Sequence, residues 1–381
     1  MGCTQYGECE WIPIRSSEIC PICGSRKGRC SRYVKRDNGE VVMYRCKYQE
    51  SNRPSNGWYI HLVDELNNNS YKNIPTHIKL EDYKQNSITE EDLILWDQVY
   101  RKFRTIFYQI NGSYLYKDHE KNLIERGFSE VEINNMGFFS VPRNERIKYN
   151  GYTCKLATAI VNELLKTFNA ETLLKVPGFS KITVKDNDYV IFKNTIKNSQ
   201  TDKFEDLDAY FIPYYNYKNQ LSAMQYRLMK PLYDIHGKKM RYLWYSSKDI
   251  SCGSPIDYYV PMTVSFDNVI LITEGAIKAK FAASKLKIRT LAEAGVGNYR
   301  NLIKNLQELE KLENKKYNIL LALDMDKYSN DDVIRAEIST VSLLKSLGYT
   351  VTILEWNEDD GKGIDDKINV SKFQDFRFLQ I

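Results

Sequence analysis

The last third of the chain alternates apolar, strand-like runs with amphipathic helical ones. The apolar runs are NVILITEG at 268–275, RTLAEAG at 289–295, YNILLALDMD at 317–326 and YTVTILEWN at 349–357. Helical patterns lie between them. Continuous apolar strands in this βαβ order predict a mostly parallel sheet covered by helices.

Helical and strand-rich segments precede that sheet. Thr89, followed by acidic residues, has the character of a helix N-cap, and a stripe of apolar residues at helical spacing continues to Phe107. Shorter helices are predicted over 118–126 and 130–136. Residues 150–260 consist mainly of strand-like runs. The chain as a whole is therefore predicted to be α+β and, with 381 residues, multidomain.

Composition narrows the class of protein. Hydrophobic residues make up 43% and aromatic residues 13%, as in globular proteins. The net charge of +5 permits a nucleic-acid partner without requiring one. No apolar run is long enough to span a membrane, and the first residues lack the regions of a signal peptide. We therefore expect a cytoplasmic protein without a membrane partner, whose Cys residues are reduced or metal-bound.

Acidic residues follow two of the apolar strands. Glu274 ends the first strand, and Asp324 and Asp326 end the third. Ligands of open α/β sheets bind beyond the carboxyl ends of the strands, and residues i and i+2 of a strand point to one side. Three such carboxylates predict a site for Mg²⁺ or Mn²⁺ that serves phosphoryl transfer. Either site alone is equally compatible with a plain helix N-cap, but both together favour the metal site.

The motifs around these acids resemble a known domain. TEG at 273–275, DMD at 324–326 and the βαβ frame resemble the Toprim domain of bacterial primases, topoisomerases and related nucleases. EGAIKAKFAA at 274–283 and GKGIDD at 361–366 resemble its primase-like branch in plasmid and phage replication proteins. The resemblance implies that Glu274, Asp324 and Asp326 are metal ligands or acid–base groups.

The same resemblance implies further members of the site. By that likeness Lys278 faces the phosphates and Asp365 lies near the metals, although a surface charge and a turn residue are the alternatives. Gly295 and Gly297 stand where the second strand ends. We expect them to form a tight loop near phosphate.

Basic and aromatic residues are interleaved ahead of the Toprim-like region. Such a mixture is typical of a face that binds single strands or nucleotides, although a solvated basic hairpin has the same composition. The segment resembles the nucleotide-binding subdomain of bacterial primases, of mixed α/β RNA-polymerase type. By that likeness the nucleotide- or template-binding residues are Arg227, Lys230, Arg241, Tyr242 and Ser246.

Four cysteines near the N-terminus have the spacing of a zinc site. Cys20, Cys23, Cys30 and Cys46 form the pattern C-x2-C-x6-C-x15-C around Asn38-Gly39, a hairpin signal. Four thiolates suit a structural Zn²⁺ ion, and Cys9 could replace Cys30 as the third ligand. The segment resembles the zinc ribbon at the front of bacterial and phage primases. Its basic residues, consistent with phosphate contact, are Arg26, Lys27, Arg29, Arg32, Lys35, Arg36 and Arg45.

These resemblances together imply a DNA primase that uses single-stranded DNA as template and nucleoside triphosphates as substrates. No G-x4-G-K-[ST] motif occurs, so a replicative helicase would be a separate chain. The predicted segments are a zinc ribbon at 1–65, a linker at 66–87, a helical region at 88–150, a basic nucleotide- or template-binding subdomain at 151–262 and a Toprim catalytic domain at 263–381.

Two other functions agree with parts of the sequence. One is a Toprim nuclease or a topoisomerase-like enzyme. The other is a non-enzymatic DNA-binding protein of replication or recombination, which combines a zinc site with a Toprim domain. Metal-dependent cleavage of DNA would favour the first, and tight DNA binding without turnover the second.

Overall fold

A computed structural model describes most of the chain in two compact units. One unit contains residues 1–84 and 260–381, and the other contains residues 85–259. The described residues are 9–15, 17–23, 25–26, 29–36, 38–48, 54–55, 58–62, 88–197, 204–233, 237, 239–248, 250–328, 331–370 and 376–381. The predicted linker at 66–87 and Lys27 lie outside them, and the five-segment division stays a prediction. Among the described residues, no helix has the length and apolar character needed to cross a membrane.

A small antiparallel sheet forms the described N-terminal part. Its strands are β1 (Cys9–Pro13), β2 (Ser31–Lys35), β3 (Val41–Cys46), β4 (Pro54–Ser55) and β5 (Trp58–Leu62), in the order β1-β2-β3-β5-β4. Strands β2 and β3 form the expected hairpin, with Ser31 opposite Arg45. Gly39 supplies the positive φ, 71°, that its turn requires.

The described residues of the unit 85–259 form five helices. They are α1 (Glu90–Asn111), α2 (Lys117–Glu125), α3 (Glu130–Met136), α4 (Leu156–Leu165) and α5 (Ala170–Leu173). Thr89 caps α1 as expected, because its hydroxyl accepts a hydrogen bond from the Asp92 N–H (3.1 Å) and the Asp92 carboxylate accepts one from the Thr89 N–H (3.0 Å). Helix α4 lies in a segment for which the sequence predicts mainly strands.

The strands of this unit form one larger sheet and several hairpins. They are β6 (Phe139–Ser140), β7 (Arg146–Tyr149), β8 (Tyr152–Lys155), β9 (Phe179–Val184), β10 (Asn187–Phe192), β11 (Thr195–Lys197), β12 (Phe204–Asp206), β13 (Ala209–Tyr215), β14 (Leu221–Tyr233), β15 (Lys239–Trp244) and β16 (Ile256–Tyr259). The larger sheet has the order β15-β14-β13-β6. Buried aromatic rings cover it: Phe211 stacks on Tyr226 at 5.1 Å, and Tyr245 meets Phe211 edge-on at 5.0 Å. These rings account for much of the apolar core of this unit.

The C-terminal part contains the predicted parallel sheet. Its strands are β17 (Val269–Glu274), β18 (Arg289–Glu293), β19 (Asn318–Ala322), β20 (Val351–Glu355) and β21 (Arg377–Gln380), and its helices are α6 (Ala276–Leu286), α7 (Tyr299–Glu313), α8 (Asp331–Ser346) and α9 (Ile364–Val370). Across residues 260–381 the strand order is β18-β17-β19-β20-β21. The first four strands pair in parallel, and β21 adds an antiparallel edge that the sequence did not predict.

A buried ion network holds the turn that follows β19. Lys327 lies in a 3-10 turn, Met325–Tyr328, and its ammonium contacts the Glu337 carboxylate of α8 (3.0 Å) and the Glu355 carboxylate at the end of β20 (2.6 Å). Lys327 and Glu337 are almost fully buried. Buried charges are tolerated only when they are paired, so this turn is fixed against a helix and a strand.

We expect Lys327→Met to lower the free energy of unfolding by about 3–5 kcal/mol, because it leaves Glu337 charged and buried without its partner. The double variant with Glu337→Leu should recover part of that loss. Urea unfolding of the metal-free chain measures both values. Lys345→Met, at the C-terminal end of α8, is the control and should change stability by less than about 0.5 kcal/mol. A single variant as stable as the control would show that the network contributes little.

Candidate functional site

Glu274 lies at the carboxyl end of strand β17, as the sequence predicts. The next residue, Gly275, has a φ of +82°, which turns the chain sharply into helix α6. The Gly275 N–H donates to the Glu293 carbonyl at 2.6 Å, which joins the ends of β17 and β18. Glu274 therefore projects from a fixed corner of the sheet.

The two aspartates follow strand β19 instead of lying on it. The strand ends at Ala322, Asp324 lies in the connection, and Asp326 lies in the 3-10 turn. The expectation that the two side chains share one side of a strand is therefore wrong in its geometry. The turn brings the two aspartates together. It is held by a hydrogen bond that the Met325 N–H donates to the Lys362 carbonyl (2.9 Å).

Two lysine ammonium groups contact these carboxylates. Lys278 of α6 pairs with Asp324, and Lys362 pairs with Asp326 (2.7 Å) and Asp324 (3.5 Å). Burial alone would lower the pKa of both lysines, but the neighbouring carboxylates outweigh burial, so both pKa values are raised. The lysines therefore stay charged and offset the negative charge of the site.

The GKGIDD segment closes the site from the other side. A Cβ atom on Gly363 would come within 2.5 Å of an Asp365 carboxylate oxygen and 3.1 Å of the Lys278 side chain, so Asp365 and Lys278 both pack against this glycine. Gly361 has a φ of +122° and accepts a hydrogen bond from the Trp356 indole (2.8 Å). The structure thus places Lys278 and Asp365 beside the acidic trio.

The donor set suits a divalent cation, although its carboxylates are more widely spaced than the ligands of a single ion. Glu274, Asp324 and Asp326 do not form a group of ligand atoms within 4.8 Å of one another among the described residues. Two carboxylates already hold ammonium groups, which shows that this edge attracts positive charge. Burial raises the pKa of Glu274; Lys278 lowers it, and Asp324 raises it further. A bound cation would remove that penalty, because it favours the charged carboxylate.

A fourth acid at this edge was missed by the sequence analysis. Glu293 ends β18 directly opposite Glu274 in the parallel register, and its side chain is only 1% exposed. Burial, with the Glu274 carboxylate beside it, raises the pKa of Glu293 to about 8. Its Oε2 atom is buried without a hydrogen-bond partner among the described residues. The sequence signal for Glu293 was an acid inside the apolar run RTLAEAG, because an acidic residue is rarely placed at a buried strand end without a role.

The two loop glycines lie at the end of the same strand. Gly295 has a φ of +130°, and Gly297 lies in a 3-10 turn, Val296–Asn298, that leads into α7. A Cβ atom on either glycine would meet nothing within 4 Å. Close packing within the chain therefore does not require a glycine at either position, and their contact with phosphate stays a prediction.

The basic and aromatic residues of the other unit lie on two paired strands. Arg227 pairs with Tyr242 across β14 and β15, and its guanidinium lies 5.3 Å from the Tyr242 ring centre. Arg227 is 6% exposed, and its guanidinium also donates to the Leu228 carbonyl. Lys230 and Arg241 are exposed, whereas Ser246 is half-buried. The nucleotide-binding role of all five stays a prediction.

The four predicted cysteines converge. The sulfur atoms of Cys20, Cys23, Cys30 and Cys46 lie within 4.8 Å of one another, with Cys30 at 3.7 Å from both Cys23 and Cys46. Ligands about 2.3 Å from a tetrahedral zinc are about 3.8 Å apart, so the cluster could bind zinc. Hydrogen bonds from Cys20 and then Cys23 lower the pKa of Cys30, and the thiolate is the form that binds metal. Cys30, directly before β2, is thus the third member of the cluster.

A second group of ligand atoms is occupied by protein contacts. Asp118, His119 and Asp208 lie together, but Arg143 pairs with Asp118 at 2.7 Å and with Asp208 at 2.9 Å. His119 also contacts the buried Ser140 hydroxyl at 2.7 Å. This cluster satisfies buried polar groups and ties α2 to the sheet.

One family model and several solved structures of primases are similar to this chain. The family model described as a domain of unknown function, DUF3854, matches residues 263–374. The Aquifex aeolicus primase (zinc-binding and RNA polymerase domains) is 15% identical over 77% of this chain and 60% of its own, with a TM-score of 0.44. A DnaG primase catalytic domain bound to single-stranded DNA is 14% identical over 75% of this chain and 80% of its own, with a TM-score of 0.47.

A DNA primase domain from Pseudomonas aeruginosa is similar in the same way. It is 16% identical over 72% of this chain and 74% of its own, with a TM-score of 0.42. No curated protein matches the sequence. This chain spans 60% of the length of the Aquifex aeolicus primase structure.

The geometry of the cysteine cluster predicts which thiols bind zinc. Cys30→Ser should remove most of the zinc bound by the full chain, because a closed structural site needs all four ligands. Cys9→Ser and Cys154→Ser should keep it. Metal content by mass spectrometry after gel filtration measures the three variants. Zinc lost in Cys9→Ser but kept in Cys30→Ser would assign the third ligand to Cys9.

Proposed function

We propose that this chain is a DNA primase, which joins nucleoside triphosphates into short primers on a single-stranded DNA template. The observation that carries the proposal is the set of carboxylates at the carboxyl edge of a parallel sheet, Glu274, Asp324 and Asp326, with the Lys278 and Lys362 ammonium groups among them. The Toprim-like motifs, the cysteine cluster and the basic strands β14 and β15 agree with it.

The acidic trio would hold Mg²⁺ or Mn²⁺. Such ions neutralise phosphate charge and lower the pKa of an attacking hydroxyl. The 3′-hydroxyl oxygen of the primer would form a bond to the α-phosphorus of the next triphosphate, pyrophosphate would leave, and the hydroxyl proton would pass to solvent. Glu274 on its fixed corner and Asp324 and Asp326 on their fastened turn would orient the reacting groups.

Lys278 and Lys362 would change partners during binding. In the free protein they offset the charge of Asp324 and Asp326. Once cations occupy those carboxylates, the two ammonium groups would bind phosphate oxygens of the triphosphate, which lysine does as a point charge. Asp365, beside Lys278, would keep that lysine in place.

The remaining parts would handle the template and the nucleotide. Lys230, Arg241, Tyr242 and Ser246 would contact template or triphosphate, with Arg227 orienting Tyr242 and the loop of Gly295 and Gly297 near phosphate. A structural Zn²⁺ held by the four cysteines would fix the basic N-terminal module. We place the protein in the cytoplasm, in the primase-like branch found in plasmids and phages, and expect a separate replicative helicase to supply single-stranded template.

Asp324→Asn should lower primer synthesis by about 100-fold or more, because charge stabilisation at a reacting centre has this scale. The assay supplies single-stranded DNA, ribo- and deoxyribonucleoside triphosphates, and Mg²⁺ or Mn²⁺. Asp359→Asn, an exposed acid outside the site, is the control and should retain full activity. Synthesis unaffected by Asp324→Asn would refute the proposed site, and Asp324-dependent cleavage of the DNA would assign it to strand breakage.

Lys362→Met should tighten Mn²⁺ binding by about tenfold, because it removes a cation that competes for Asp324 and Asp326. The same variant should raise the KM for the triphosphate. Free Mn²⁺ measured by electron paramagnetic resonance gives the affinity without any turnover, and Lys345→Met is the matched control. An unchanged or weaker Mn²⁺ affinity would show that Lys362 does not occupy a cation position.

A further inference from the structure

A large cleft lies in the unit of residues 85–259, beside the β9–β10 hairpin. Its volume is about 1030 Å³, at the upper end of sites for small molecules. One wall is helix α4, with Thr158 and Asn162, and the other is the hairpin, with Ile182 and Tyr189. We call this space the hairpin cleft. Neither the acidic trio nor strands β13 and β14 line it.

One face of the hairpin is apolar and exposed. Ile182 and Tyr189 are opposite each other in the antiparallel register, and side chains paired in this way share a face. Ile182, Val184 and Tyr189 are 40%, 48% and 52% exposed, and Phe204, which also lines the cleft, is 72% exposed. On the opposite face, Asp188 pairs with Lys181 (2.9 Å) and accepts a hydrogen bond from Thr183 (2.6 Å), and Asp188 also lines the cleft. An exposed apolar face of this kind marks a binding surface.

Three lysines surround that face. Lys155, Lys193 and Lys248 line the cleft and have no acidic partner among the described residues. Among the described lining residues, the only carboxylate is that of Asp188, which is already engaged by Lys181 and Thr183. Burial lowers the pKa of Lys193, so its ammonium is held in a partly apolar place without compensation. An anion in the cleft would compensate it.

We propose that the hairpin cleft binds single-stranded nucleic acid, with bases stacked on Tyr189 and Phe204 and phosphates bound by Lys155, Lys193 and Lys248. Exposed aromatic rings beside lysines that have no acidic partner among the described residues match a strand whose bases are not paired. The hydroxyl and amide groups of Thr158, Asn162, Ser246 and Ser247 can bind sugars and base edges. The choice of this ligand over an acidic peptide rests on the proposed primase function. Ser246, expected to contact nucleotide or template, would do so here.

Binding of a fluorescein-labelled single-stranded DNA, followed by anisotropy of the full chain in EDTA, tests this site without turnover. Tyr189→Ala and Phe204→Ala should each weaken binding about tenfold. Lys193→Met should make the slope of log affinity against log salt shallower by about 0.7, as expected for one lost phosphate contact. Tyr152→Ala, a 75% exposed tyrosine outside the cleft, and Lys175→Met, an exposed lysine outside it, are the matched controls.

The outcomes separate this inference from the proposed function. Wild-type affinity in Tyr189→Ala and Phe204→Ala, or an equal loss in Tyr152→Ala, would overturn the cleft as a nucleic-acid site, even if the wild-type chain primes. Displacement of the DNA by poly-glutamate as readily as by unlabelled DNA would assign the cleft to an acidic peptide instead. Cleft-dependent DNA binding in a chain that does not prime would refute only the primase proposal.

Discussion

Charge balance at one edge of the parallel sheet is the constraint on which the C-terminal part depends. Parallel pairing sets Glu274 directly beside Glu293, and the turn after β19 brings Asp324 and Asp326 to the same edge. Burial and the neighbouring carboxylates raise the pKa of both Glu274 and Glu293, and ionised carboxylates gathered in such a place oppose folding. Lys278 and Lys362 offset that repulsion, and they come from segments far apart in the sequence. The ends of the strands, helix α6 and the GKGIDD segment are therefore tied together by the same ion pairs that define the site.

The sequence predicted this sheet well because its signals are local. Apolar runs of strand length, each followed by a helical pattern, needed no tertiary information. The relative placement of Asp324 and Asp326 was less accessible, since it depends on where β19 stops, and the strand ends at Ala322. Glu293 was missed because its sequence signal, an acid in an apolar run, does not show that strand pairing sets it beside Glu274. Cys30 could not be separated from Cys9 by spacing alone, because only the folded hairpin brings its sulfur to the others.

In the middle unit, fewer structural features could be predicted from local sequence signals. Its first helix was predictable from Thr89 and the apolar stripe, but α4 lies in a region of strand-like composition, and its position is fixed by packing against α1 and the hairpins. Exposure could not be read from the pattern either. Arg227 is a basic residue of a binding-type sequence, yet it is buried under Tyr242, whereas Tyr189 and Ile182 are apolar and exposed. Burial is a property of the assembled sheet, and composition alone does not give it.

The two candidate metal centres differ in how they would behave without metal. The cysteine cluster is packed against Ile14 and Ile22, and its thiols contact one another. At the acidic site, the Lys278 and Lys362 ammonium groups supply positive charge next to Asp324 and Asp326. If both sites bind metal as proposed, zinc would be a structural ion that the chain acquires once, as it folds. The divalent cation of the acidic site would instead exchange with the cellular pool. A cell short of zinc would lose newly made molecules, but a cell short of magnesium would only slow those it already has.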